Sequence, residues 1–251
     1  MKSIPQKQKA QIQGVALEYV KSGAGAPPII LVNGSGGPIE GWYKVYAELE
    51  TLSTVFAYNR PGIGGSESSK FPQSGDVIVA TLRELLAAVG LIPPYLLVGH
   101  SLGGLYVNLY ARQFPHEVAG AVFLDAAAPG DEVLQNNYQT PLQSILNKIS
   151  GLFKSSKDTH AEVQFVHETV KQIRDTEPFP DIPLVVISGG KGIPRMLMTE
   201  KARQIRAENQ KALAALSSRG EHVIAAQSGH FPQFAEPELV VNTIRQMLER
   251  L

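Results

Sequence analysis

The sequence contains no cysteine among its 251 residues. Disulfide frameworks, thiolate nucleophiles and Cys-ligated zinc or iron–sulfur centres are thereby excluded. It also lacks a dominant charge: 23 basic residues balance 23 acidic ones. That removes the broad basic field of a nucleic-acid binder and any general attraction to an anionic membrane. No apolar run is long enough to span a bilayer. The stretch from Met1 to Gln13 is polar and lacks the apolar core of a secretory leader. These absences lead to the expectation of a soluble, cytoplasmic protein with no nucleic-acid partner. What is present suffices for a packed interior, since 43% of residues are hydrophobic and only 18% are charged.

Short apolar runs alternate with longer segments of helical period. Ile29 to Val32, Val55 to Tyr58, Tyr95 to Val98, Ala121 to Leu124, Leu184 to Ile187 and Val223 to Ala225 read as strands. They are nearly continuous in apolar residues, as parallel strands covered on both faces must be. Gln11 to Val20, with Gly14 at a turn, suggests a leading antiparallel hairpin. Ile78, Leu82, Leu85 and Val89 share one helical face after a candidate N-cap at Asp76. Val240, Ile244, Met247 and Leu251 form another such face, with Pro237 at a first helical position. The alternation predicts an α/β fold on a mostly parallel sheet. From Ala126 to Pro183 no strand is evident, and a single crossover needs far fewer residues. The stripes Ile145, Ile149, Leu152 and Val163, Val166, Val170, Ile173 suggest a small helical insertion there. The expected division is a core of residues 1–125 and 183–251 with an insertion of residues 126–182.

The local signal richest in chemistry is Gly99-His100-Ser101-Leu102-Gly103, a G-x-S-x-G pattern. An apolar strand precedes it and a helical pattern from Leu102 to Phe114 follows. A tight strand-to-helix turn lifts a serine hydroxyl above the sheet edge, at the positive end of the next helix. A serine hydroxyl needs a neighbouring base to attack at neutral pH. Of six histidines, only His230 sits on a loop at the carboxyl end of a late strand, where open α/β sheets place their sites. The base in turn needs an orienting carboxylate. Asp125 ends the strand Ala121 to Leu124, whereas no acid follows Leu184 to Ile187 until Glu200. Asp125 is therefore the first candidate, with Asp131 and Glu221 behind it. An oxyanion hole requires preorganised N–H donors. Leu102, just after the serine, and Gly34 or Ser35, in Asn33-Gly-Ser-Gly-Gly37, are the candidates. Neither glycine loop completes a nucleotide fingerprint, because Ile39 and Glu67 stand where a third glycine is required.

These motifs carry a family resemblance. Asn33-Gly34, Asn59-Arg-Pro-Gly-Ile-Gly-Gly-Ser66, Gly99-His-Ser-Leu-Gly103, Phe123-Leu-Asp125 and Ser228-Gly-His230, in the chain order Ser, Asp, His, resemble the α/β-hydrolase superfamily over nearly the whole length. The resemblance implies a three-layer α/β-hydrolase fold, with the insertion as a helical cap over Ser101. It further implies acyl transfer to water on Ser101 with no metal or organic cofactor, and a small-molecule acyl substrate: a carboxylic ester, a lactone or a thioester. Members of the superfamily also act as lyases, cofactor-free peroxidases, C–C hydrolases or slow-turnover receptors, and the same Ser and His serve these roles. Three positions depart from the common pattern: Asn33 replaces histidine, Asn59 replaces aspartate, and the acid moves to Asp125. Trp42 and Tyr43 are candidate pocket-edge residues.

Overall fold

The computed structural model describes residues 4–132, 134, 161–191 and 198–251. Eight strands form one sheet in the order β1-β2-β4-β3-β5-β6-β7-β8. They are β1 (Gln8–Ile12), β2 (Val15–Ser22), β3 (Ile29–Val32), β4 (Val55–Tyr58), β5 (Tyr95–His100), β6 (Val118–Leu124), β7 (Leu184–Gly189) and β8 (Gly220–Ala225). The first two pair antiparallel through a turn at Gln13 and Gly14, both with positive φ, and β2 runs antiparallel to β4. From β4 to β8 all pairings are parallel.

Side chains alternate between two apolar layers, as the pleat requires. Ile30, Val32, Phe56, Tyr58, Leu97, Phe123 and Val186 face one layer. Ile29, Leu31, Val55, Ala57, Val98, Leu124 and Ile187 face the other. The first is covered by α2 (Gly75–Ala88), α3 (Gly103–Gln113) and α4 (Val166–Asp175), together with the end of α5 (Glu200–Ala214). The second is covered by the short α1 (Tyr46–Leu49) and the terminal α7 (Pro237–Glu249), which follows a one-turn α6 (Pro232–Ala235). Pro237 opens α7, where its missing N–H costs nothing.

Several sequence expectations shift in detail. Helix α2 begins at Gly75 with Ser74 at the N-cap position, not Asp76. Asp76 lies inside the first turn, beside the positive end of the helix, and accepts from Gln113 Nε2 at 2.6 Å. Strand β5 runs two residues further than its apolar run, to His100. Of the insertion, the stripe Ile145, Ile149 and Leu152 lies outside the described residues. In the second stripe Val170 and Ile173 are buried in the core and Val166 packs against it, whereas Val163 is exposed.

Helix α3 docks so tightly on the carboxyl end of β3 that glycine is required. A Cβ at Gly103 would lie 2.3 Å from the Val32 carbonyl oxygen and 2.6 Å from that of Asn33. One at Gly229 would meet nothing within 4 Å. Gly103→Ala is expected to destabilise the fold by about 3 kcal/mol in denaturant unfolding, because backbone must move. Gly229→Ala should cost less than about 0.5 kcal/mol.

Candidate active site

Three parallel strands end side by side, and each delivers a candidate residue at the next position: β3 to Asn33, β5 to Ser101 and β6 to Asp125. Ser101 has φ +50° and Asp125 has φ +40°, conformations rare for residues with a side chain. Both are fixed by ladder-like bonds. Ser101 N donates to Leu124 O at 3.1 Å, and Asp125 N donates to Ile187 O at 2.7 Å. Past the turn, the Ser101 carbonyl accepts from Gly104 N and Ala127 N. The backbone is thus held in the strained turn, and the hydroxyl is presented at the start of α3.

Ser101, His230 and Asp125 form one hydrogen-bonded line. Ser101 Oγ lies 2.9 Å from His230 Nε2, and His230 Nδ1 lies 2.6 Å from Asp125 Oδ2. With Nδ1–H donating to the carboxylate, Nε2 is left to accept the serine proton. The residues are 129 and 105 positions apart, so only the sheet edge brings them together. Asp125 is further bound by Arg206 of α5, whose Nη2 donates to Oδ2 at 2.9 Å, and by Gly189 N, which donates to Oδ1 at 3.2 Å. Burial alone would raise the Asp125 carboxyl. The bond from His230 and the charge of Arg206 outweigh it and hold the group at about 2. The carboxylate is therefore ionised at neutral pH.

The other acids lie elsewhere. Asp131 accepts from Ala128 N, Arg206 and Asn209. Glu221 is exposed and paired with Arg250. No acid stands at the end of β7, and its last residue, Gly189, supplies an N–H to Asp125.

Gly34 packs directly on the serine: a Cβ there would lie 2.9 Å from Ser101 Cβ and 3.1 Å from His100 Nδ1. Among the described residues no backbone acceptor takes the N–H of Gly34, Ser35 or Leu102. Asn33 occupies the place of the usual histidine and ties the loop shut by donating from Nδ2 to Pro38 O at 2.6 Å. Asn59 donates from Nδ2 to Glu18 Oε2 at 2.5 Å and accepts from Ile39 N at 2.8 Å. An aspartate at 59 would set a second carboxylate against Glu18, so the amide is the chemically matched residue here.

Trp42 is wholly buried in the second core layer. The pocket-edge expectation is corrected there: a ring with no exposed surface, packed among Ile39, Val45 and Leu49, is core. Tyr43 is half exposed and packs on Phe234, which stacks on Phe231 beside the His230 ring. A cavity of about 410 Å³ lies behind the Asp125–His230 pair, lined by Ser188, Met198, Arg206, Gln210 and His222 among others. Among the described residues no group of three or more His, Asp or Glu side chains is placed to hold a metal ion. Among the described residues no helix is long and apolar enough to cross a membrane.

A model of the alpha/beta hydrolase family matches residues 29–243, which is most of the chain. The chain belongs to that family. A Bacillus subtilis protein of uncharacterised function, YqjL, is 26% identical over 242 residues, covering 96% of this chain and 91% of that one. An esterase of Thermogutta terrifontis superposes with a TM-score of 0.69 at 18% identity, covering 98% and 99% of the two chains. A Bacillus megaterium epoxide hydrolase superposes with 0.70 at 17% identity, covering 96% and 100%. These likenesses show the fold, an eight-stranded, mostly parallel sheet flanked by helices, and the family makes hydrolysis the general activity. At such identities the chemistry of a neighbour does not transfer.

Sequence reasoning missed two members of this neighbourhood. Arg206 sits on a largely polar helix with no motif to mark it. His100 adjoins Ser101 in the chain, and its ring lies 4.9 Å from that of His230. Its Nε2–H donates to the His230 carbonyl at 2.8 Å. Burial lowers the His100 value to about 4, so the ring is neutral in the folded protein.

A pH dependence of stability follows. The unfolded chain protonates His100 near 6.5, the folded one only near 4. Between these values the unfolded state binds the extra proton, so the stability present above 6.5 is lost as pH falls toward 4. The contribution is on the order of 3 kcal/mol across the window. Thermal melts from pH 7 to 4.5 should show Tm falling with acid, and falling less steeply in His100→Gln.

Proposed function

We propose that the protein is a serine hydrolase that cleaves a small-molecule carboxylic ester, lactone or thioester through an acyl-enzyme on Ser101. The observation that carries this reading is the continuous line from Ser101 Oγ through His230 to an ionised Asp125, with unused N–H groups next to the serine.

In this mechanism His230 Nε2 takes the Ser101 proton as Oγ bonds to the substrate carbonyl carbon. The C=O pair moves onto oxygen, and the oxyanion is bound by N–H groups of the Gly34–Ser35 loop and Leu102. His230 then returns the proton to the leaving alkoxide or thiolate as its bond to carbon breaks. Water repeats the sequence on the acyl-enzyme, with His230 as its base, and releases the acid and free Ser101. Asp125 accepts from Nδ1–H throughout, which fixes the tautomer and stabilises the imidazolium. The Arg206 bond and the Gly189 N–H hold that carboxylate in place and keep it charged. Residues 126–182 are read as a cap beside this site, and Tyr43 as part of its aromatic rim.

Ser101→Ala should abolish both p-nitrophenyl ester turnover and covalent labelling by a fluorophosphonate. Labelling that persists in this variant would place the nucleophile elsewhere. Asp125→Asn keeps the shape but loses the charge and admits the wrong tautomer. Its kcat should fall on the order of 10³- to 10⁴-fold with the fold intact. A near-normal kcat would remove Asp125 from the mechanism.

A further inference from the structure

Arg60 is a fully buried guanidinium beneath the loop that carries Gly34 and Ser35. It lies over the Tyr106 ring, 5.3 Å from the centroid. Nη1 donates to Asn33 O at 2.7 Å and Nη2 to Gly34 O at 2.6 Å. Nε donates to Glu162 Oε2, and Nη2 also to Glu162 Oε1 at 2.9 Å. Glu162 in turn accepts from Gly36 N at 3.0 Å. It is buried too, and it belongs to the returning leg of the insertion, 102 positions after Arg60.

The planarity of the peptide gives this arrangement a consequence. In a trans peptide, C=O of one residue and N–H of the next point in opposite directions. Turning the Asn33 carbonyl down onto Arg60 turns the Gly34 N–H up. Turning the Gly34 carbonyl down turns the Ser35 N–H up. The fork of one guanidinium thus sets two successive peptide planes, and lysine, a single point of charge, has no equivalent geometry. The carboxylate of Glu162 compensates the buried cation and also holds the third N–H of the loop, that of Gly36.

We propose that Arg60, held by Glu162, is the positioning group that aims the Gly34 and Ser35 N–H donors at the reacting centre on Ser101, so that the insertion contributes to oxyanion stabilisation without touching substrate. The proposal deepens the acyl-enzyme reading and rests on it. It concerns interactions realised in the tetrahedral state, so it acts on turnover rather than on substrate binding.

The test uses the full-length protein with Glu162→Gln and Arg60→Lys. Active sites are first titrated with a fluorophosphonate, so that every rate refers to folded, labelled enzyme. Per titrated site, kcat should fall about 10- to 100-fold in each variant, with KM within about threefold of wild type. The Ki of a trifluoromethyl ketone, which adds Ser101 to form an oxyanion, should rise by a similar factor. The Ki of the corresponding methyl carbinol, which cannot form an oxyanion, should stay within about threefold. A purely structural pair would instead reduce the number of titratable sites and the melting temperature while kcat per site stayed normal, which would overturn the proposal. Loss of all titratable sites in both variants would do the same, by assigning the pair to folding. Wild-type protein that neither labels nor turns over would remove the acyl-enzyme reading itself, a result separate from either of these.

Discussion

The architecture turns on one steric constraint: helix α3 starts in contact with the carboxyl end of β3. Gly103 lies against the carbonyls of Val32 and Asn33, Gly99 against Gly103 and Gly104, and Gly104 against Ala126. No side chain larger than hydrogen fits at any of these three positions without backbone movement. The closeness has two effects. It forces the chain to reverse within one residue, which puts Ser101 at positive φ. It also brings the β3 loop up to the serine, so that N–H groups from two separate segments converge on one side chain.

Around that junction the protein buries charge, and each charge is matched. Arg60 is met by Glu162 and two carbonyls, Asp125 by Arg206, His230 and a backbone N–H. A single unpaired ion at such depth would cost several kcal/mol. Paired, these ions hold loops whose backbone conformations are themselves unfavourable. The neutral His100, packed on His230 and bonded to its carbonyl, does the same without charge. The departures from the common family pattern fit this logic locally. Asn59 supplies a donor where Glu18 already supplies the negative charge. At the end of β7, Gly189 donates its N–H to Asp125.

Much of the fold was legible because each strand is buried on both faces and reads as an uninterrupted apolar run. The expected strands correspond to β3 to β8: β3 and β4 have the expected bounds, and β5 to β8 run two or three residues further at one end. In β5 the added residues are Gly99 and His100, which are buried but carry no apolar side chain to mark them. Helix α5 was not legible, because Ala202, Gln210, Leu213 and Ala214 give it a buried face without a strong apolar stripe. Asp76 as a cap was a local inference, and the helix begins two residues earlier, with Ser74 at the N-cap position.

The sequence by itself determined the alternation of strands and helices, the strand–turn–helix around Ser101 and the loop position of His230, since these depend on spacings of a few residues. It also ranked Asp125 ahead of Asp131 and Glu221 as the candidate acid, since no carboxylate follows Leu184 to Ile187 until Glu200. Tertiary structure alone decided which side chains meet. Ser101 and His230, His230 and Asp125, and Asp125 and Arg206 are separated by 129, 105 and 81 positions. Arg60 and Glu162 stand 102 apart. Trp42 and Tyr43 are neighbours of similar character, yet one is core and the other is half exposed. Local pattern fixes which element a residue joins. Which partner it finds is fixed by strand order and by which helix packs over which strand end, and those depend on burying both faces of one sheet at once.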